Sequence, residues 1–344
     1  MNKLVNAIDQ VVEENNLPHE WSKEIVAELK ELEHKKEPKN RVDLRSHPFV
    51  TIDGKDAKDF DDAVFCKEEL NGFMLQVAIA DVADIVKQGT ELDFEALKRG
   101  TSIYFPKKVI PMLPEEISNN LCSLVPREDR NVLVCKIIFN KEGVINSYEF
   151  DEAIINSNKR FTYNEVEYLS QDNQVNISSN ILDSINALKN LTKKLLKERL
   201  KRNALEIDSA EPVLKFDNKD NINEILVPKR LFAHQMIEEA MISANICAAK
   251  FIKKHLGFGI YRIHEEPENL KIENLKKFFS LKGLSSKSFS DALELINGFI
   301  SHVNKNKENK MLNILILQSL KRAQYSTKEV GHFGLQLKEY SHFT

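Results

Sequence analysis

The sequence lacks several features that mark common protein classes. Its four cysteines lie far apart and none forms a C-x-x-C pair, which excludes a zinc knuckle or a thioredoxin-type motif. It has only 11 glycines and 10 prolines in 344 residues, too few for a collagen-like or low-complexity chain. No apolar run approaches the roughly 18 residues that span a bilayer, and the N-terminal residues include acids instead of a signal-peptide core. These absences predict a reduced, cytoplasmic protein with no membrane partner.

Neither sign of charge dominates the chain. Lys and Arg together number 49 against 52 Asp and Glu, for a formal net charge of −3. A wholly basic nucleic-acid-binding surface is therefore excluded, whereas a local basic channel is not. The glycine motifs G-x-x-x-x-G-K-[ST] and G-x-G-x-x-G are missing as well, so we expect no nucleotide cofactor. Hydrophobic residues make up 42% of the chain, enough for a packed core in one large domain or two.

The hydrophobic pattern predicts a strand-rich first half and a helical second half. Residues 1–36 have helical spacing, and the charged segment Lys35–Asn40 follows them as a linker. Short β-rich runs occupy residues 49–86 and 132–155, and Asn71-Gly72 between two runs is a strong hairpin signal. Helices are predicted at Ile181–Arg202, Leu231–Lys254, Leu270–Lys282, Ser290–Val303 and Met311–Tyr325. This order favours an α+β fold in which a mixed β-sheet is surrounded by helices.

The predicted helix Ile181–Arg202 combines an apolar stripe with a basic face. The stripe consists of Ile181, Ile185, Leu188, Leu191, Leu195, Leu196 and Leu200. The basic face consists of Lys189, Lys193, Lys194, Lys197, Arg199, Lys201 and Arg202. A face of this kind is usually solvated surface, and a contact with nucleic-acid phosphates is the alternative.

The most informative segment is a cluster of aspartates between two strand-like runs. Five aspartates fall within ten residues, at positions 53, 56, 59, 61 and 62. Turn formation explains one or two of them, but five crowded carboxylates repel one another unless a cation neutralises them. Oxygen ligands suit Mg²⁺ or Mn²⁺, and the spacing does not match a calcium-binding hand. The cluster therefore predicts a divalent metal site, and a solvated acidic loop is the alternative.

This segment resembles the signature of the ribonuclease II/ribonuclease R exoribonucleases, specifically their catalytic RNB domain and most nearly the ribonuclease R branch. The matching letters are T-I-D-G-K-D-A-K-D-F-D-D-A-V, beginning at Thr51. Further segments agree in the same order: R-V-D-L-R (Arg41–Arg45), V-A-I-A-D-V-A (Val77–Ala83), R-G-T-S-I-Y-F-P (Arg99–Pro106), I-P-M-L-P (Ile110–Pro114), N-N-L-C-S-L (Asn119–Leu124), H-Q-M-I-E-E-A-M-I-S-A-N-I-C-A-A (His234–Ala249) and G-H-F-G-L-Q-L-K-E-Y-S-H-F-T (Gly331–Thr344).

The resemblance implies roles for particular residues. The family's four metal-site acids correspond to Asp53, Asp59, Asp61 and Asp62, and hydrolysis depends most on the acid at Asp61. Three further positions correspond to residues that hold the 3′-terminal nucleotides: Tyr104, Tyr163 and Glu238. Glu238 matches the glutamate that grips the terminal ribose, with Glu239 beside it as the competing choice. The implied cofactor is Mg²⁺, with Mn²⁺ as the alternative, and the implied partner is single-stranded RNA.

Four histidines have no obvious place in this chemistry. His234, His264, His332 and His342 never pair at the i, i+4 spacing of a metal site, so each is interpreted as structural.

The sequence also departs from the family at its last residues. It ends at His342-Phe343-Thr344, where the family continues with S-P-I-R-[RK]-Y, whose arginine holds the scissile phosphate. We therefore expect residues 1–40 to form a helical linker and residues 41–344 to form a catalytic domain incomplete at its C-terminus. The first hypothesis is a metal-dependent 3′-to-5′ exoribonuclease that hydrolyses single-stranded RNA to nucleoside 5′-monophosphates. The second is a catalytically impaired, RNA-binding fragment of such an enzyme, and the third is a metal-binding protein without nuclease activity.

Overall fold

The computed structural model describes residues 3–32, 40–169, 177–207, 212–217, 220–281, 289–305 and 312–343. It has the predicted α+β architecture, a mixed sheet between helices, with helices predominating in the second half. Most of the predicted linker Lys35–Asn40 lies outside the described residues, so its extent stays a prediction.

The strands and helices are as follows. The strands are β1 (Val42–Asp43), β2 (Val50–Asp53), β3 (Asp62–Glu69), β4 (Gly72–Ala80), β5 (Ile103–Phe105), β6 (Lys108–Ile110), β7 (Asp129–Asn140), β8 (Ile145–Asn156), β9 (Lys159–Thr162), β10 (Val213–Phe216), β11 (Ile222–Leu226), β12 (Tyr261–Ile263) and β13 (Gln324–Ser326). The helices are α1 (Lys3–Glu14), α2 (Lys23–Leu32), α3 (Val82–Ile85), α4 (Glu91–Arg99), α5 (Tyr163–Tyr168), α6 (Ser179–Lys201), α7 (Phe232–Leu256), α8 (Asn269–Leu281), α9 (Ala292–Lys305) and α10 (Leu312–Ser319).

Seven strands form the main sheet, in the order β1-β8-β7-β4-β3-β2-β9. Only the outer pairs β1–β8 and β2–β9 are parallel, which makes the sheet mixed. The hairpin predicted at Asn71-Gly72 is confirmed, because β3 and β4 pair from Glu69 opposite Gly72. A Cβ atom at Gly72 would lie 1.9 Å from the carbonyl oxygen of Phe139, so this close approach of two strands requires glycine.

The central strand β4 is buried on both faces, as its near-continuous apolar run predicts. Leu75, Val77 and Ile79 face a core shared with α6 and α7. The alternate residues Met74 and Ala78 face a second core that includes Ile25 of α2 and Leu92 of α4. Because neighbouring side chains of a strand point to opposite faces, one strand fills both layers.

The N-terminal helices pack against the rest of the chain. Ile8 and Val12 of α1 contact Ile110 of the β5–β6 hairpin. The guanidinium of Arg99 lies 3.6 Å from the centre of the Trp21 ring, just before α2. The described part of the predicted helical linker, residues 1–40, therefore makes apolar contacts of its own.

The C-terminal helix is shorter than predicted. We expected a helix over Met311–Tyr325, but α10 ends at Ser319 and Gln324–Ser326 forms strand β13. Strand β13 pairs with Tyr261–Ile263, so long-range pairing overrides the local helical pattern. None of the described helices has the length and apolar character needed to cross a bilayer.

Candidate active site

The aspartate cluster lies at one end of two neighbouring strands of the main sheet, β2 and β3. Asp53 is the last residue of β2 and Asp62 is the first residue of the neighbouring antiparallel strand β3. The loop between them carries the exposed residues Asp59 and Asp61. A turn was required here because these aspartates cannot share one face of a continuous strand, and the loop supplies it.

The loop that carries the aspartates is fixed from two sides. The Ser123 hydroxyl accepts a hydrogen bond from the Phe60 amide at 3.0 Å and donates one to the Lys58 carbonyl at 2.9 Å. From the opposite side, the Arg160 guanidinium donates hydrogen bonds to the carbonyls of Gly54 and Lys55. Backbone anchoring at both ends limits how far the carboxylates can separate.

Burial and neighbouring negative charges raise the pKa of three carboxylates in the cluster. Burial, together with Asp61 and Asp59, raises the pKa of Asp53 to about 6, although Arg160 acts in the opposite direction. Burial and the charges of Asp53 and Asp61 raise the pKa of Asp62 to about 7. Partial desolvation and Asp59 raise the pKa of Asp61 as well. Ionised, the four groups form a site with a strong attraction for a cation.

The donor chemistry of the cluster fits a hard divalent cation. One carboxylate oxygen of Asp53 and one of Asp62 are buried without a hydrogen-bond partner, which is costly unless another group satisfies them. All four side chains supply oxygen ligands, the type that Mg²⁺ and Mn²⁺ prefer. Within the described ranges, however, no three Asp, Glu, His or Cys side chains already converge as a metal-holding group. Binding an ion would therefore require these side chains to move closer together.

Replacing Asp62 by asparagine is expected to stabilise the metal-free protein. The substitution removes a buried charge that the fold holds at a raised pKa, at the cost of burying an amide. We expect a net gain of about 1 kcal/mol in unfolding free energy at pH 8 with EDTA, measured by urea denaturation. The exposed Asp56→Asn change in the same loop serves as the control and should have little effect. If Asp62→Asn is less stable than the wild type, the Asp62 carboxylate is not an uncompensated buried charge.

Tyr163 connects the aspartates to the second half of the chain. It follows Thr162, which is paired with Asp53 in the sheet, and its ring stacks on His234 with centroids 4.0 Å apart. Burial and the nearby charges of Asp53 and Asp62 raise the pKa of Tyr163 to about 12, so its hydroxyl remains a hydrogen-bond donor. The predicted substrate-binding residue Tyr163 thus lies beside the predicted metal ligands.

Beyond His234 opens a cavity of about 530 Å³ whose wall includes Glu238. Its remaining wall residues include apolar Leu205 and Ile207 and the cationic side chains Arg199 and Arg230. A volume of this size is in the range of small-molecule sites and can hold a nucleotide. The structure therefore brings Asp53, Asp62, Tyr163, His234 and Glu238 into one continuous region, although they are far apart in sequence.

Glu238 and Glu239 differ in their surroundings. Glu239 is 2% exposed and faces the core, whereas the Glu238 side chain is 34% exposed and lines the cavity. Only Glu238 is therefore accessible to a ligand from the cavity side.

Tyr104 lies apart from these residues, in strand β5 of the β5–β6 hairpin. It is 71% exposed, and no hydrogen bond or ring contact among the described residues joins it to the aspartates. The hairpin is attached to the β10–β11 ribbon, because Lys107 pairs with Asp220 and lies over the Phe216 ring. Tyr104 is thus an exposed aromatic side chain held on a supported hairpin.

The structure of α6 differs from the prediction at two positions, Arg199 and Leu200. Lys193, Lys197 and Lys201 are exposed, but Arg199 is buried and Leu200, expected on the apolar stripe, is 63% exposed. The helical period explains why Arg199 is buried, because it lies four residues after Leu195 and so continues the buried stripe. This spacing indicated that Arg199 is buried, but the basic residues next to it in the sequence favoured an exposed basic face instead.

Sequence reasoning also missed the arginines that contact Glu238 and the position of His234. Arg199 and Arg230 both form ion pairs with Glu238. His234, interpreted as structural, stacks on Tyr163 and lines the cavity. No local motif identifies these contacts, because Arg199 meets Glu238 through the packing of α6 against α7 and Tyr163 meets His234 through the packing of α5 against α7.

Comparison with known proteins identifies relatives of the chain. A family model described as the RNB domain matches residues 41–344. Ribonuclease R of Escherichia coli is 39% identical over 349 residues, which cover 98% of this chain and 42% of the relative. Ribonuclease R of Vibrio parahaemolyticus is also 39% identical, over 344 residues, covering 96% of this chain and 40% of the relative. The chain thus spans less than half the length of these relatives.

A solved structure agrees with the sequence matches. Mycoplasma genitalium RNase R in complex with ribose-methylated single-stranded RNA superimposes with a TM-score of 0.92 at 30% sequence identity. The match covers 100% of this chain and 55% of that one.

Proposed function

Because the chain belongs to the RNB-domain family and is similar to ribonuclease R, we propose that it is the catalytic part of an exoribonuclease. Its reaction would be hydrolysis of single-stranded RNA from the 3′ end, releasing nucleoside 5′-monophosphates. The observation that carries the proposal is the contiguous region formed by the aspartate cluster, Tyr163 and the cavity beside Glu238. A carboxylate-rich edge next to a nucleotide-sized cavity suits phosphodiester chemistry at a chain end.

In this proposal Asp53, Asp59, Asp61 and Asp62 hold Mg²⁺, or Mn²⁺ in its place. When bound, such a cation would supply a Lewis acid that activates water and offsets the charge of the phosphate. The protein's own contribution is orientation: Ser123 and Arg160 fix the loop that carries the carboxylates. The two buried, unpartnered carboxylate oxygens support this assignment.

The residues on the cavity side would hold the last nucleotide. The Tyr163 hydroxyl keeps its proton and can donate a hydrogen bond toward a phosphate or ribose oxygen. Leu205 and Ile207 offer an apolar wall for a base, which needs no particular sequence. Glu238 accepts hydrogen bonds from ribose hydroxyls, the groups that distinguish RNA from DNA.

Tyr104, which does not line the cavity, would stack on a base of the RNA that precedes the last nucleotide. Since it is 71% exposed, Tyr104→Ala should leave the folding stability unchanged. We expect it to weaken binding of a short single-stranded RNA by about tenfold or more, because base–aromatic stacking contributes about 1–3 kcal/mol. Fluorescence anisotropy would measure the affinity, and Tyr104→Phe, which keeps the ring, should bind like the wild type. Equal affinities for Tyr104→Ala and the wild type would remove Tyr104 from the binding surface.

The direct test is to incubate the chain with 5′-labelled single-stranded RNA and Mg²⁺ and to follow the products with time. Release of nucleoside 5′-monophosphates and stepwise shortening from the 3′ end support the proposal. Binding without cleavage would favour the alternative, a catalytically impaired RNA-binding fragment. Internal cleavage, or no interaction with RNA, would contradict both.

The four cysteines are free and buried, which supports a reducing compartment such as the cytoplasm as the site of action.

A further inference from the structure

Glu238 is held by two arginines at the same time. Its Oε1 atom accepts a hydrogen bond of 2.7 Å from Nη1 of Arg199, and its Oε2 atom accepts one from Nη2 of Arg230. The same Nη1 atom of Arg199 donates a second 2.7 Å bond to Oε1 of Glu239. A carboxylate with each oxygen fixed by a guanidinium has little freedom to rotate.

The two arginines differ in their surroundings. The Arg199 side chain, on α6, is 10% exposed and is anchored to the buried carboxylate of Glu239. The Arg230 side chain, in the segment before α7, is 31% exposed and its other carboxylate neighbour, Glu206, lies 3.9 Å away. Arg199 is therefore a fixed internal partner of Glu238, whereas Arg230 lies where a ligand entering the cavity can reach it.

The arginines also determine the charge of Glu238. Partial burial alone would raise the pKa of Glu238, but the hydrogen bond and charge of Arg199, with Arg230, hold it below its ordinary value. Glu238 is thus ionised at neutral pH and can only accept hydrogen bonds. A nucleotide presents two adjacent donors of the right kind in the 2′- and 3′-hydroxyls of its terminal ribose, and a deoxyribose presents one fewer.

We propose that Arg199 is a positioning residue that orients Glu238 toward the ribose hydroxyls of a 3′-terminal nucleotide, and that Arg230 assists it from the cavity side. Together they set the preference for a ribose over a deoxyribose at the chain end. This proposal rests on the proposed function of the site. It adds two residues that act through Glu238 without contacting the reacting phosphate.

The test isolates the contact of Arg199 with Glu238 from its contact with Glu239. The chain Glu239→Gln keeps Arg199 beside Glu238, whereas Glu239→Gln with Arg199→Met removes it without leaving Glu239 as an unpaired buried charge. Both are compared with the wild type for binding two otherwise identical short single-stranded RNAs. One RNA ends in a ribonucleotide and the other in a 2′-deoxynucleotide, and EDTA prevents cleavage during anisotropy titrations.

The wild type and Glu239→Gln should prefer the ribose end by about tenfold, the value of one hydrogen bond to a charged acceptor. The double variant should lose most of that preference. Arg230→Gln, a change at a partly exposed position that should not prevent folding, should also reduce the preference. Circular dichroism spectra establish that each chain is folded before its binding is compared.

Two results would overturn the proposal. In the first, the wild type discriminates between the two ends and both the double variant and Arg230→Gln discriminate equally well. The arginines would then have no positioning role, while the proposed exoribonuclease function would stand. In the second, the wild type itself shows no preference, so that Glu238 does not read the ribose. Mononucleotide release measured on ordinary RNA then decides separately whether the proposed function fails too.

Discussion

Asp61→Asn is expected to reduce RNA hydrolysis by on the order of 10³-fold, with little change in RNA affinity. The substitution keeps the shape of the side chain but removes one negative charge from the proposed metal-ligand set. Since Asp61 is exposed on the loop, the change should not disturb the core. Single-turnover mononucleotide release with Mg²⁺ measures the chemical step, and anisotropy with the same RNA measures binding.

The matched control is Asp56→Asn. Asp56 lies in the same loop, is exposed and is acidic, but it does not belong to the four residues assigned to the metal. A general loss of negative charge in the loop would affect both variants alike, whereas loss of a ligand affects only Asp61→Asn. If Asp61→Asn cleaves RNA at the wild-type rate, the assignment of the metal ligands is wrong.

The parts of the fold that depend on local pattern were predictable from the sequence. The apolar run of β4 indicates burial on both faces, and Asn71-Gly72 indicates the turn that precedes it. The long helices α6 and α7 follow from their hydrophobic spacing. In each case the signal and the structure involve the same residues, so no knowledge of the tertiary fold is needed.

The short strands were not predictable in this way. The β5–β6 and β10–β11 hairpins have strands of only three to five residues, too short for a clear alternation of polar and apolar residues. Strand β13 exists because Gln324–Ser326 pairs with residues more than sixty positions earlier in the chain. Such elements depend on partners that the local sequence does not identify.

The site was predictable only in part, for the same reason. The aspartates form a local cluster, so five crowded carboxylates indicate their chemistry without a tertiary structure. The proximity of Tyr163 to Asp53 depends on the parallel pairing of β2 with β9, and the stack on His234 depends on the packing of α7. The resemblance to a family implied roles for Tyr163 and Glu238, but it gave no indication of Arg199 or Arg230.

Arg199→Ala is expected to be the most destabilising of the substitutions considered, by about 3–5 kcal/mol, because it leaves a buried carboxylate without its partner. Glu239 is 2% exposed and its Oε1 atom lies 2.7 Å from Nη1 of Arg199. Glu238 would keep Arg230, so the penalty should arise mainly at Glu239. Urea denaturation at pH 7.5 measures the free energy of unfolding from the shift in midpoint, provided that the slope is unchanged.

The decisive measurement is the double variant Arg199→Ala with Glu239→Gln. If the penalty comes from an unpaired buried charge, removing that charge should recover most of the lost stability, and the two changes should be strongly non-additive. Lys201→Ala is the matched control on the same helix, because its ion pair with Glu198 is exposed and should contribute less than about 1 kcal/mol. A penalty for Arg199→Ala as small as that of Lys201→Ala would show that Glu239 does not depend on Arg199 to compensate its buried charge. A large penalty that Glu239→Gln fails to relieve would instead assign the role of Arg199 to the packing of its side chain between α6 and α7.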